Sequence, residues 1–442
     1  MRKQLTTLAS LSKSLRGLNE MLRYNPIYYR RVADTIRTIN QAVDFHQRSQ
    51  AVAPLLSATL KAATGTAYGK GRNATLSQWP ILQKSEVKSD PGRFQTSHWP
   101  AIPAATSGSS GEPLRIKRGL KNIAAEQAFL DSLLGSESFT FRQAHTAILR
   151  GDTVKDPADR QPPFGEYRHS NQLVLSFPHL NEANVSWFID ELLAFKPDIL
   201  WVYPTGAEFL ASLCLQRNQK IPIPVVLSSS EMLTSRARER MEKAFGGEVI
   251  DYYGQAERVC LSYQKRADEA WFHPAYGFVE LFPDDASVEE DGQRRAKVIA
   301  TGYWKDKMPL VRYDTNDYIA YPAHYTDDDL ALVALGLKPF TRMIGRASEF
   351  LVTPTGERIQ ALNNIPKDVQ HLRRAQFIQH HPNQVEVRLD VEPRFNTEDR
   401  NKFLSNARIK IPPSVDITIV TDQPLEVTES GKTPFVIRTV ET

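Results

Sequence analysis

Hydrophobic and polar positions follow two periods along this chain, and the changes between them mark its divisions. The first part is helical. Leu8, Leu11, Leu15, Leu18 and Leu22 recur at three- and four-residue spacings, along one helix face. Residues 1–70 read mostly as helix, and 120–134 as another. From residue 173 the pattern alternates. Short apolar runs at 173–177, 198–202, 224–227 and 249–253 predict strands, with helices at 184–195, 207–217 and 236–245 between them. Strands separated by helices predict βαβ units and a largely parallel sheet. Such sheets bind ligands at the carboxyl ends of their strands.

After residue 270 the predicted strands, at 276–282, 296–301 and 318–321, are joined by acidic loops. From about residue 346 the pattern changes again. Strands at 350–353 and 357–359 flank Pro354-Thr355-Gly356, a turn signal. Strands at 375–379 and 385–391 flank Pro382-Asn383, and a helix at 397–408 precedes a strand at 415–420. The expectation is an α/β protein: a large N-terminal domain with mixed sheets, residues 1–345, and a small α+β C-terminal domain, residues 346–442.

Composition removes several classes. In 442 residues, 41% are hydrophobic and 24% charged, which a packed chain has and a disordered one lacks. The formal net charge of +4 gives no case for nucleic acid binding. Two cysteines, Cys214 and Cys260, rule out a disulfide framework and a zinc site of three or four thiolates. No apolar run nears the ~20 residues that span a bilayer, so a reducing, cytoplasmic setting is the default expectation. One local bias stands out. Arg2, Lys3, Lys13, Arg16, Arg23, Arg30 and Arg31 face only Glu20 within residues 1–33. A basic amphipathic helix of this kind either packs on its own domain or makes a peripheral contact with an anionic membrane.

Several segments have the residue types that nucleotide chemistry needs. Thr106, Ser107, Gly108, Ser109, Ser110 and Gly111 are all small, hydroxylated or glycine. Backbone N–H groups and hydroxyls in such a run surround an anion well, although a surface linker has the same composition. Asp251, Tyr252, Tyr253 and Gly254 end an apolar strand, and Glu257 follows where a carboxylate can orient Mg²⁺. A strand ending in a solvated turn reads the same way. Arg312, Asp314 and Asp317 lie within six positions, with carboxylates able to accept from ribose hydroxyls or to form a surface ion-pair cluster. Gly345-Arg346-Ala347-Ser348 sits at the domain boundary, and Gly431-Lys432 lies near the C-terminus.

Taken in order, these segments resemble the acyl-adenylate-forming superfamily, over nearly the whole chain. Supporting them are Leu22-Arg23-Tyr24-Asn25-Pro26, Ser229-Ser230-Glu231-Met232-Leu233 and Pro309-Leu310-Val311-Arg312-Tyr313. Within the superfamily the chain is most similar to the phenylacetate–CoA ligase branch, which also holds capsular-biosynthesis proteins and deazaflavin-coenzyme-adenylating synthetases. The resemblance implies ATP-dependent adenylation of an aryl or acyl acid, then transfer to a thiol such as coenzyme A, an amine or a hydroxyl. It implies that the Ser/Gly run holds the β- and γ-phosphates and that Glu257 orients Mg²⁺. Ser229, Ser230 and Glu231, with Asp251, Tyr252, Tyr253 and Gly254, would frame the nucleotide. Asp317 would take the ribose, helped by Arg346. Lys432 would bridge the substrate carboxylate and the α-phosphate, and Ser348 would be the hinge. His179 lies where relatives place a substrate-gating residue; a packed histidine is the plainer alternative.

Three positions depart from the family pattern. Glu112 stands where a basic residue usually follows the phosphate loop, with Lys117 or Arg118 available to compensate. Ala256 replaces a hydroxyl residue before Glu257, and Ser348 replaces a charged hinge residue. Glu112 and Ala256 leave open nucleotide binding without turnover, and the likeness to deazaflavin-adenylating synthetases leaves open AMP transfer to a phenolic hydroxyl.

Overall fold

The structure is a computed structural model describing residues 20–96, 101–105, 114–135, 140–150, 154–156, 159–168, 171–288, 292–344, 350–355, 358–359, 362, 365–366, 368–428 and 433–440. It divides into two compact units, Met1–Ile344 and Gly345–Thr442.

The first unit opens with α1 (Pro26–Gln41), α2 (Phe45–Thr64) and α3 (Lys84–Ser89), then β1 (Ile102–Ala105), β2 (Arg115–Arg118) and α4 (Leu120–Leu133). Next come β3 (Thr146–Leu149), β4 (Gly165–Tyr167), β5 (Gln172–Leu175), α5 (Val185–Phe195), β6 (Ile199–Val202), α6 (Pro204–Gln216), β7 (Val225–Ser229), α7 (Ser235–Phe245) and β8 (Glu248–Gly254). The hairpin β9 (Leu261–Arg266) and β10 (Glu269–Phe272) follows. After it come β11 (Gly277–Val288), β12 (Gln293–Gly302), β13 (Tyr313–Pro322), α8 (Asp327–Ala334) and β14 (Arg342–Ile344).

Eight of these strands form one sheet, in the order β10-β9-β8-β7-β6-β3-β5-β4. The five central strands are parallel, and β4, β9 and β10 close the edges antiparallel. Both faces are covered, which is why these strands read as continuous apolar runs. In β6, Leu200 and Val202 enter the core beneath α5, α6 and α7, while Ile199 and Trp201 pack on the opposite side with α1, α2 and α4. Each such buried aliphatic side chain contributes roughly 1.5–3 kcal/mol. The helices start on local signals: Asn25 accepts from the N–H groups of Ile27 and Tyr28 ahead of α1, and Thr234 caps α7.

The second sheet, β11-β12-β13-β14, is antiparallel throughout. Its edge lies hard against the chain that leaves β8. Gly277 and Gly302 are cross-strand partners. A Cβ on Gly277 would come within 1.9 Å of the Val259 carbonyl oxygen, and one on Gly302 within 2.5 Å of that of Arg258. Only glycine permits this approach.

The predicted parallel strands and their helices are all present within a few residues of their predicted bounds. The pattern does not announce β3, the β9–β10 hairpin or α8. Each is short, and a short apolar run has no distinguishing period.

In the second unit, β15 (Leu351–Val352) pairs with β16 (Arg358–Ile359). A four-stranded sheet forms from β17 (Leu372–His381), β18 (Gln384–Val391), β19 (Asp416–Val420) and β20 (Val436–Arg438), in the order β19-β18-β17-β20. The helix α9 (Thr397–Lys410) lays Phe403 and Ala407 into its core with Phe377 and Val387. Asn396 and Asp399 form a capping box at its start. Among the described residues no helix is long and apolar enough to cross a membrane. The basic leucine face at 1–19 lies outside the described residues.

Candidate active site

The carboxyl ends of β3, β6, β7 and β8 form one edge of the large sheet. Chain order departs from spatial order there: β5 lies on one side of β3, and β6, β7 and β8 follow on the other. The gap between β3 and β6 is therefore a switch point, where ligands bind in open α/β sheets.

Glu257 follows β8 at this edge and is 4% exposed. Its Oε1 accepts from the Tyr313 hydroxyl at 2.9 Å and lies 3.3 Å from Lys84 Nζ. Burial opposes ionisation most strongly. Lys84, a hydrogen bond from the residue's own backbone, the Tyr313 hydrogen bond and Lys305 together outweigh it, so the carboxyl lies below its ordinary range and is charged at neutral pH. Lys305 is 5% exposed and donates to the Glu257 backbone carbonyl. Arg118, the last residue of β2, donates to the Ala256 carbonyl at 3.0 Å, while its buried Nε has no partner. Arg258 pairs with Glu126 at 3.3 Å and with Asn122. A buried carboxylate thus sits among cations brought from four separate segments.

Burial pushes the Lys305 ammonium down to about 7, against the pull of Glu257 and with Arg118 and Arg258 adding to the fall. Between pH 7 and its unfolded value near 10.5, the unfolded chain holds a proton that the folded chain has lost. For this group, stability therefore rises with pH across that window. A polyanion placed beside Lys305 reverses the shift. At pH 8, ATP binding is expected to take up to about one proton, and none at pH 6, where the lysine is already charged. Calorimetry in two buffers of different ionisation heat measures this. Uptake unchanged in Lys305→Met would exclude Lys305 as its source.

Asp317 is buried, and its Oδ2 accepts from the Tyr253 hydroxyl. Burial first, and then Asp317, hold that phenol well above its usual value, so it remains a neutral donor. The other two members of the predicted cluster turn elsewhere. Asp314 pairs with Lys297 at 2.6 Å, and Arg312 with Glu280 at 3.0 Å. Asn316, at φ 58°, breaks the strand's alternation between the two acids.

Gly254 differs from the tightly packed glycines of the second sheet. A Cβ built there meets no atom within 4 Å. The fold leaves open space beside this backbone, next to Tyr253 and three residues before Glu257. Gly254→Val is expected to leave the unfolding midpoint unmoved and to weaken ATP binding about tenfold or more, ~1.4 kcal/mol. Unchanged affinity in a titration would show that bound ATP does not reach this space.

The structure divides the remaining predicted residues. Ser229 and Ser230 lie at the end of β7, with Ser230 at φ 75°. Glu231 instead caps a helix: its Oε2 accepts from the Thr205 N–H at 3.1 Å and from the Thr205 hydroxyl, where α6 has no side-chain cap from its own Tyr203. Strand alternation separates Asp251 from Tyr252. Burial pushes the Asp251 carboxyl up to about 7, against Ser228 and Arg238. Tyr252 packs on the other face, with Trp201. His179 is 1% exposed and stacks on Phe164. Its Nε2 donates to the Asp159 carbonyl at 2.9 Å, so Nδ1 accepts from Ser176 at 2.7 Å. Both ring nitrogens are engaged, which makes it a packed histidine. Cys260 is a buried thiol pushed up to about 12 by burial. The predicted phosphate-loop residues Thr106, Ser107, Gly108, Ser109, Ser110 and Gly111, with Arg346, Ser348 and Lys432, lie outside the described residues.

Sequence reasoning missed Lys84 and Lys305 as neighbours of Glu257, and nothing in their local sequence marks them. Tyr313 ends a family motif, yet its bond to Glu257 has no local signal either. Among the described residues no group of three or more His, Cys, Asp or Glu side chains is placed to hold a metal. A cavity of about 560 Å³ opens elsewhere in the first unit, lined by apolar residues including Phe45, Val52, Leu56, Phe278, Leu281 and Leu330. None of the site residues above lines it.

Across 90% of both chains, the structure superposes on a 2-hydroxyisobutyryl-CoA ligase in its postadenylation state with an acyl-AMP adduct, at a TM-score of 0.58 and 12% identity. The same ligase with its 2-hydroxyisobutyryl adduct gives 0.54 at 12% identity, over 89% of this chain and 90% of that one. The fold is that of the acyl-adenylate-forming ligases. Within this adenylate-forming fold, residues 351–439 match the CapK C-terminal domain. Protein CapK of Staphylococcus aureus is 22% identical over 352 residues, 76% of this chain and 74% of that protein. Both sequence matches are to CapK proteins, which fits the capsular branch of the resemblance.

Proposed function

We propose that this chain activates a carboxylic acid with ATP, forming an acyl-AMP and releasing pyrophosphate, and then passes the acyl group to a thiol such as coenzyme A or to another acceptor. The observation that carries the reading is Glu257: a buried, charged carboxylate, ringed by cations and beside open backbone, at the carboxyl edge of a parallel sheet.

The chemistry follows from that arrangement. An oxygen of the substrate carboxylate attacks the α-phosphorus of ATP. The bond from that phosphorus to the bridging oxygen breaks, and pyrophosphate leaves with the electron pair. Charge grows on the phosphoryl oxygens, where fixed cations stabilise it without reorganisation. Arg118, with its unpartnered Nε, and Lys305 suit the polyphosphate, and Arg118 supplies the positive charge that Glu112 does not. Mg²⁺ carried by the phosphates would take Glu257 as its protein ligand, in line with the one or two carboxylates this ion uses. Lys84 fits that exchange, since its side chain is 29% exposed and can return to water when a dication displaces it. The Tyr253–Asp317 pair suits a ribose, and the space at Gly254 suits the base. The resemblance assigns Lys432 to the α-phosphate and the acid, as a point charge on a flexible stem.

The test is ATP–pyrophosphate exchange with Mg²⁺ across a panel of acids. Exchange is expected to depend on the acid and to fall about 10²-fold in Lys432→Ala. No exchange with any acid, despite ATP binding, would overturn the reading. AMP found covalently on a phenol would replace it with nucleotidyl transfer.

A further inference from the structure

Arg150 immediately follows β3, and the activation chemistry does not use it. Its guanidinium lies 4.6 Å from the Trp201 ring centre and 4.7 Å from that of Tyr203. Nη2 is 3.4 Å from Ser230 Oγ, and the buried Nε has no partner. No carboxylate among the described residues pairs with it. Flat aromatic rings hold a guanidinium by its face and leave its in-plane N–H groups to donate. This cation is therefore positioned, and its buried Nε donor is unspent.

Its place in the fold is informative. Trp201 and Tyr203 belong to β6 and to the residue after it, so Arg150 stands over the β3–β6 gap, at the switch point of the sheet. From β3 to β8, which leads to Glu257, is three strand spacings of about 4.8 Å, roughly 14 Å. The side chain spans part of that separation, since Nη2 reaches Ser230 Oγ just past β7, whereas Lys84, Lys305 and Arg118 are the cations gathered at Glu257.

We propose that Arg150 recognises a second oxyanion, a carboxylate or its equivalent, on the far end of the acid. The substrate class is then a dianionic acid rather than a simple aryl or alkyl monoacid. This inference rests on the adenylation reading for the acid's orientation, but its test reads binding directly. A guanidinium offers the planar fork that matches an oxyanion in two contacts, and an aromatic slot that partly excludes water strengthens them.

The experiment titrates the full chain with adipate and terephthalate, each against its monomethyl ester, and with 3-phosphonopropionate to separate phosphate from carboxylate preference. At least one diacid is expected to bind tenfold or more tightly than its ester. Arg150→Gln is expected to bring that diacid to the level of the ester and leave the ATP affinity unchanged. Arg150→Lys, which keeps the charge without the fork, should retain part of the preference and guards against a folding defect. Esters binding as well as every diacid would overturn the proposal, as would loss of ATP affinity in Arg150→Gln with acid binding intact. Preference for the phosphonate alone would support it with a phosphoryl group as the oxyanion. Arg150-dependent diacid binding without pyrophosphate exchange would sustain this inference and sink the adenylation reading. Exchange with monoacids only would do the reverse.

Discussion

Glu257→Gln should reduce acid-dependent pyrophosphate exchange by about 10²–10³-fold, with KM for Mg²⁺ rising. The amide is the same size and keeps an acceptor for the Tyr313 hydroxyl, 2.9 Å away in the native structure. It loses the negative charge. Lys84, at 3.3 Å, then has no ion partner at this site, and the buried Lys305 loses the one group that favours its protonated form. The ammonium of Lys305 should fall further below 7, leaving less positive charge where pyrophosphate departs. Lys84 can turn to water, so the cost to folding should be modest beside the cost to rate. Steady-state exchange in parallel with thermal unfolding separates the two. An exchange rate within about threefold of the native value would remove Glu257 from the chemistry.

Gly277→Ala is expected to destabilise the first unit by about 3 to 5 kcal/mol, at the high end for a single substitution. The added carbon would lie 1.9 Å from the Val259 carbonyl oxygen and 3.0 Å from that of Thr301. Both are backbone atoms within or beside sheets, so neither can turn aside as a side chain would. The second sheet would have to move off the segment that follows Glu257. Tyr313 and Lys305 would move with it, so nucleotide affinity should fall along with stability. Denaturant titration reads the first effect and ATP binding the second. An unchanged denaturation midpoint would show that the two sheets are not locked at this contact.

The two glycines show how far local sequence reaches. Gly254 belongs to a motif and Gly277 to none. Only the packed chain shows that Gly254 faces open space while Gly277 is pinned between backbones. Glu257 could be found from its motif, whereas its partners could not. Lys305 lies 48 residues further on and Lys84 on a short helix near the start, both in ordinary surroundings. Glu231 and His179 show the opposite effect. Their motif positions suggest ligand contacts, yet one caps α6 and the other satisfies both ring nitrogens inside the protein. The charged cluster at residues 312–317 divides for a similar reason. Asp314 and Asp317 are close to Arg312 in sequence, but Asn316 turns the strand and the three side chains find different partners.

The parallel strands, the helices between them, the small C-terminal module and the family likeness can all be read from the order of residues. They follow from side-chain periodicity and from motifs a few residues long, which are local properties of the chain. Packing in three dimensions settled the rest: which cations surround Glu257, which glycines are sterically required, and that Arg150 lies over Trp201 and Tyr203 with no carboxylate partner among the described residues. Each of these depends on strands and loops remote in sequence meeting at one sheet edge. That meeting is set by burying both faces of the large sheet and by the close approach of the second, and no local pattern records it.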